Sequence, residues 1–260
     1  MLRFSANLGF LWPGLPLLER IDHAAEAGFR AIELHWPYDT PGDAVRKACE
    51  KHRLTLLGIN TVVGDASRGE SGLGALAGRE ADFQAAIDQS LAYCRVSGAN
   101  AVHAMAGVVP QDQRRKARET FLRNLAEAAE KASGQGVMLL LEPLNPRDMP
   151  DYFYSTAAEA VSIIEELGSD AVRLMFDVYH VGVTEGDVIM KLRRYKDFIG
   201  HVQIAAVPSR AEPDEGEISY PAIFEELERI GYAGFIGCEY KPRAATGDGL
   251  AWVNRLGVSL

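Results

Sequence analysis

Apolar positions along this chain follow two alternating periods. Short runs of about four to seven mostly apolar residues read as strands, and stretches with apolar residues every three or four positions read as helices. Strands are predicted at residues 3–8, 30–35, 54–60, 100–105, 137–142, 172–177, 199–205 and 234–239. Helices are predicted at 15–27, 41–52, 79–97, 111–133, 156–167, 186–195, 220–230 and 246–257. Gly28, Gly98, Gly134, Gly168 and Gly231 each follow a helical stretch, where a left-handed residue closes a helix most cheaply. Ser155 is the expected N-cap of the helix at 156–167. Residues 61–78 are glycine-rich and too long for an ordinary connection, so they are expected to form a functional loop or lid.

Eight strand–helix units without a linker or a composition break allow an open doubly wound sheet or a closed barrel. Eight units in 260 residues favour a single (β/α)8 TIM barrel spanning 1–260. No GxGxxG follows the first strand, which removes the main dinucleotide signal.

The strand at 137–142 carries the sharpest chemical signal. Its apolar run, Val137 to Leu141, ends in Glu142 and Pro143. A carboxylate at the end of a strand buried on both faces is costly unless something pairs with it. The sixth strand ends in Asp177, the eighth in Glu239, and the seventh carries Gln203 near its end. These positions are separated by 35, 26 and 36 residues, about one strand–helix unit each. In a parallel barrel they share the C-terminal face, where active sites lie.

Three carboxylates and an amide converging there would repel one another, and no lysine or arginine stands beside them in the sequence. A divalent metal would relieve this, and an all-oxygen donor set suits Mg2+ or Mn2+ better than Zn2+. Such a metal can hold the carbonyl and hydroxyl oxygens of an α-hydroxycarbonyl compound and stabilise an enediolate, with Glu142 and Glu239 moving the proton. Isomerisation and C3 epimerisation both follow from that layout.

Further polar residues fall on the same rim. His180 lies three past Asp177, within reach of substrate oxygens or the metal's surroundings. His35 and Asn60 end the second and third strands, and His103 lies on the fourth. His201 shares a strand face with Gln203. Arg210, in an acidic segment, is a candidate for a substrate carboxylate; the competing expectation is an ion pair with Glu212, Asp214 or Glu215. Phe10 and Trp12 are candidates for a pocket wall or for packing.

Composition narrows the setting. The net charge of −9 argues against a nucleic-acid surface. No apolar run approaches the roughly 20 residues of a membrane span. Cys49, Cys94 and Cys238 form no CxxC pair, which suits buried thiols in a reducing compartment. A soluble, cytoplasmic protein is expected.

Several long segments resemble one family: RFSANLGFLW (3–12), HAMAGVVP (103–110), LLLEPLNPRDMPDYFYST (139–156), MFDVYHV (175–181), GHVQIAAVPSRAEPDEGEISY (200–220) and GCEY (237–240). Through them the chain resembles, nearly end to end, the hydroxypyruvate isomerase family of the xylose-isomerase-like barrel superfamily. The resemblance implies a metal on Glu142, Asp177, Gln203 and Glu239, with Glu142 and Glu239 as the proton-transfer pair. It places His180 and Arg210 at substrate oxygens. Asp148 falls where related 3-epimerases carry a longer glutamate. Those epimerases have histidine where this chain has Gln203, which favours the isomerase branch. A small hydroxy-keto acid, hydroxypyruvate or a 2-oxo-tetronate, and a homo-oligomeric assembly are what the resemblance implies. An endonuclease IV-type nuclease shares the barrel and is the alternative from another reaction class.

Overall fold

The computed structural model describes residues 2–260. Eight parallel strands close into one barrel in sequence order: β1 (Arg3–Asn7), β2 (Ala31–Glu33), β3 (Thr55–Asn60), β4 (Ala101–His103), β5 (Met138–Leu141), β6 (Val172–Asp177), β7 (Ile199–Ile204) and β8 (Phe235–Cys238). The last strand pairs with the first, Ser5 opposite Gly237. Around them lie α1 (Leu17–Glu26), α2 (Gly42–His52), α3 (Glu80–Ser97), α4 (Arg114–Ser133) and α5 (Ala157–Leu167). The ring continues with α6 (Val178–Thr184), α7 (Val188–Tyr195), α8 (Tyr220–Arg229), α9 (Thr246–Gly249) and α10 (Trp252–Arg255).

Side-chain alternation splits the core in two. Leu139, Leu141, Val172, Leu174 and Phe176 are fully buried in the outer layer between strands and helices. Ala101, Leu140 and Met175 form a separate inner cluster. Each stands two residues before His103, Glu142 or Asp177 and so shares its strand face. The apolar inner cluster therefore forms the floor below the polar rim.

The structure departs from the sequence expectations at helix ends. Thr156, not Ser155, caps α5: its hydroxyl accepts the Glu159 amide, and the Glu159 carboxylate accepts the Thr156 amide in return. The expected helix at 246–257 is two short ones, and α6 was not foreseen at all. The glycine-rich loop at 61–78 is docked rather than free. Gly72 bridges to Ala106, and a Cβ on Gly72, whose φ is +118°, would meet the Met105 carbonyl at 2.6 Å. Leu73 and Ala75 of the loop are themselves buried.

Helices α7 and α8 are clamped by one buried carboxylate. Glu226 accepts from Arg193 at 2.9 and 2.8 Å and from Arg229 at 2.9 and 2.5 Å. These hydrogen bonds, Arg229 first and Arg193 second, hold the Glu226 carboxyl at about 2, below its usual 4.5. A carboxyl depressed in the folded state adds stability above its unfolded pKa and loses it as pH falls through the folded one. Glu226→Gln is therefore expected to cost about 1 to 2 kcal/mol at pH 7, a figure discounted because both guanidinium groups reach water. The gap from wild type should narrow between about pH 4.5 and 2. Urea midpoints measured across that range check this, and a gap independent of pH would contradict it.

Candidate active site

All four residues of the expected quartet are buried at the C-terminal ends of the strands. Asp177, Gln203 and Glu239 are each held at one end and open at the other, and Glu142 is flanked at one end by a histidine. Asp177 closes β6 and caps α6: its Oδ1 accepts the Tyr179 amide at 2.8 Å. Gln203 donates its amide to Glu33 Oε2 at 2.9 Å. Glu239, just past β8, meets His35 Nε2 at 2.8 Å through Oε1. Glu142, just past β5, has His103 Nδ1 3.3 Å from Oε2. The opposite oxygens are Glu142 Oε1, Asp177 Oδ2, Gln203 Oε1 and Glu239 Oε2. All four are buried without a hydrogen-bond partner. One orphaned oxygen on each of four converging side chains is a donor set that fits a hard divalent cation.

Glu142, Asp177 and His180 present atoms within 4.8 Å of one another, while Glu239 lies outside this tight group. His180 is not built as a ligand. Its Nδ1 accepts the Asn145 backbone amide at 2.9 Å, so the neutral ring carries its proton on Nε2. Burial, then Arg210, holds the imidazole well below its usual pKa. His180 Nε2 therefore faces Glu142 Oε1 at 3.7 Å and Asp177 Oδ2 at 3.6 Å as a donor.

The expectation that no cation stands among these carboxylates is corrected by the fold. Arg210 reaches in from the loop after β7, its Nη2 4.0 Å from both Asp177 Oδ2 and Glu239 Oε2. Its backbone is left-handed at φ 57° and pinned on both sides. The Arg210 amide donates to the Ala206 carbonyl, and its own carbonyl accepts the Lys241 amide. Phe10 and Tyr179 each lie 4.9 Å from the guanidinium. The expected alternative, an ion pair with the neighbouring acidic residues, is not formed: Glu212, Asp214 and Glu215 all pair with Arg243. Asp148 instead takes Arg210 Nη1 at 3.2 Å and the Tyr179 hydroxyl at 2.9 Å. Its shorter side chain thus acts as a fastener for the arginine.

Electrostatics follow from this crowding. Burial, then Glu239 and Asp177, pushes the Glu142 carboxyl well above its usual range. Burial and Glu239 push Asp177 up to about 7 against the pull of Arg210. Burial, then His35, lowers His103 to about 3, so its ring is neutral. Arg210 alone does not neutralise the site.

A cavity of about 300 Å3 joins His35, Asn60, His103, Glu142, Gln203 and Glu239. It continues past Ala101, Leu140 and Met175 into the barrel. Phe10 contributes to the site, whereas Trp12 stacks on His23 and packs against Phe29. His201 does point inward, its Nε2 3.1 Å from Glu33 Oε1. All three cysteines are buried, free thiols.

Three participants were not foreseen: Glu33, Asn145 and Tyr179. Glu33 had a readable signal, since it stands two residues before His35 and shares its strand face. Asn145, next to Pro146, carried no chemical signal of its own, although its side chain holds both Asp148 and His180.

Comparison with known proteins agrees with this architecture. Residues 21–256 match the family model of the xylose isomerase-like TIM barrel. A 2-oxo-tetronate isomerase of Cupriavidus necator is 46% identical over 97% of this chain and 98% of its own. The hydroxypyruvate isomerase of Escherichia coli is 33% identical over 98% of this chain and 99% of its own. A solved structure from Brucella melitensis, described as AP endonuclease, family 2, has a TM-score of 0.95 at 40% identity. It covers 98% of this chain and 99% of that one. No described helix is long and apolar enough to cross a membrane. The chain is an enzyme of the isomerase class and belongs to the xylose isomerase-like TIM barrel family, in the hydroxypyruvate isomerase and 2-oxo-tetronate isomerase group.

Proposed function

We propose that the protein is a metal-dependent isomerase that moves the carbonyl of a small 2-oxo-3-hydroxy acid from C2 to C3. The observation that carries this is the set of four orphaned oxygens on Glu142, Asp177, Gln203 and Glu239. A 2-oxo-tetronate is the first-choice substrate and hydroxypyruvate the second, the reverse of the order suggested by the sequence. What supports that order is one 2-oxo-tetronate isomerase at 46% identity, against 40% for a putative hydroxypyruvate isomerase of Homo sapiens and 33% for the Escherichia coli enzyme.

A divalent cation held by the four residues, Mg2+ or Mn2+ by donor hardness, supplies Lewis-acid stabilisation of charge on the substrate oxygens. The protein's own residues do the rest. The Arg210 fork, fixed between Phe10 and Tyr179, binds the substrate carboxylate. His180 donates from Nε2 to a substrate oxygen. One glutamate of the Glu142 and Glu239 pair takes the proton from C3, leaving an enediolate. A proton is returned at C2, while the hydroxyl proton passes from O3 to O2. Burial and like charge raise the proton affinity of Glu142, which suits a base that must take a carbon-bound proton. Asn60, His35 and His103 line the same cavity as Glu142 and Glu239, which supports a role in contacting the substrate. The buried free thiols suit a cytoplasmic enzyme.

A nuclease role is disfavoured by the net charge of −9 and by open donors that are three carboxylates and one amide. A substrate panel in D2O, with Mg2+ or Mn2+ present, tests the proposal. A 2-oxo-tetronate, hydroxypyruvate and a ketohexose are compared by kcat/KM, and product deuterium is read by mass. The expected result is preference for the four-carbon acid, with solvent deuterium at C2 of the product. Turnover of the ketohexose alone would make the protein an epimerase. A product free of deuterium after many turnovers would replace the enediolate with a hydride shift.

A further inference from the structure

One buried carboxylate inside the barrel is not used by the proposed reaction. Glu33, on β2, is buried and reaches across the barrel interior to β7. Ser5 Oγ donates to Glu33 Oε1 at 2.5 Å, and Gln203 Nε2 donates to Oε2 at 2.9 Å. Asn7 Nδ2 stands 3.5 Å from Oε2, and His201 Nε2 stands 3.1 Å from Oε1. Room for this contact comes from β8. A Cβ on Gly237 would fall 2.4 Å from Glu33 Oε1 and 2.8 Å from Gln203 Cγ.

An amide has a donor end and an acceptor end, and a carboxylate accepts only. Opposite Glu33, Gln203 can present only its nitrogen, so its oxygen must point the other way. That oxygen, Oε1, is buried with no hydrogen-bond partner. A glutamine free to flip could turn its NH2 group toward the cation, and NH2 donates hydrogen bonds rather than binding a metal. We propose that Glu33 is a positioning residue that locks the Gln203 amide with its oxygen toward the metal. This use of a carboxylate to orient a neutral ligand corresponds to the outer-shell partners of metal-bound histidines. The inference rests on the reading of Gln203 as a ligand.

Mn2+ binding to chelator-treated protein tests it, measured by calorimetry and by the spin-resonance signal of free Mn2+. Gln203→Ala is expected to weaken binding, which checks the ligand reading by itself. Glu33→Leu is expected to weaken binding about 10- to 100-fold, the usual loss for an outer-shell partner, with a cooperative melt retained. Removing a negative charge near a cation would weaken binding under any model, so the decisive arm is a change of sign. Glu33→Gln should weaken binding in the wild-type background. In a Gln203→Glu background it should strengthen binding, because amide and carboxylate have then exchanged places and the donor–acceptor pair is restored. That arm also decides the matter if Glu33→Leu does not fold. Weakening of binding in both backgrounds overturns the positioning role, as does unchanged affinity in folded Glu33 variants while Gln203→Ala weakens binding. If Gln203→Ala binds Mn2+ like the wild type, the ligand reading falls and this proposal falls with it.

Discussion

Glu142→Gln is expected to lower kcat by about 100- to 10,000-fold, the range for loss of a general base, while leaving the barrel folded. The substitution keeps the shape and an oxygen near the site, but it removes the group that would accept the proton. Its effect on stability should have the opposite sign. Glu142 is buried beside Asp177 and Glu239, and its carboxyl is held well above the usual range. A carboxyl raised in the folded state costs stability at neutral pH, because the folded protein penalises the charge that the unfolded chain carries freely. Metal-free Glu142→Gln should therefore melt at or above the wild-type temperature. Steady-state kinetics and a thermal melt in chelator measure the two halves. A fully active variant would mean that Glu142 is not the base, and a strong drop in melting temperature would mean that it is a structural group.

That opposition between activity and stability explains why the quartet was legible in the sequence. Strand-end carboxylates that the fold must hold against their own repulsion stand out because nothing in packing asks for them. Their spacing by one strand–helix unit converts sequence distance into a shared face. The same regularity made the eight strands and the barrel readable, since short apolar runs and helical stretches follow one another from β1 to β8.

What the sequence left open or hid depends on contacts between distant segments. Arg210 stands seven residues past Gln203, and its neighbours in sequence are acidic. Only the folded loop shows that Arg243 takes those neighbours and leaves Arg210 to the site. Glu33 shares its strand face with His35, but a single glutamate in RAIELH does not show which residue across the barrel it meets. Helix α6 was missed because its local preference points away from the structure that packing imposes. Its sequence, VYHVGVT, is rich in β-branched residues and has a glycine inside, a weak helix former by propensity. The Asp177 cap and its burial against the barrel override that preference. In each case the missing information was tertiary, and in two of the three it concerns charge.

Charge also sets the second large effect, the response to metal removal. Three carboxylates, Glu142, Asp177 and Glu239, face one guanidinium, Arg210, whose nearest approach to Asp177 and Glu239 is 4.0 Å. If all are ionised, two negative charges remain uncompensated in a buried space, which is the charge that one divalent cation cancels. A monovalent ion would leave half of the excess, and Zn2+ would meet a donor set harder than it prefers. Chelator-treated protein should therefore lose turnover of the 2-oxo acid and regain it with Mg2+ or Mn2+. The folded state should also respond before any substrate is added. At a free metal concentration 100 times Kd, binding stabilises a protein by about 2.7 kcal/mol. In a domain of this size that corresponds to a rise in melting temperature of about 5 to 10 °C. The rise should be lost in Asp177→Asn, which retains an N-capping oxygen for α6 but removes a charge and weakens a ligand. Undiminished turnover in chelator would end the metal reading. A melting temperature that rises equally in wild type and Asp177→Asn would place the cation elsewhere on the protein.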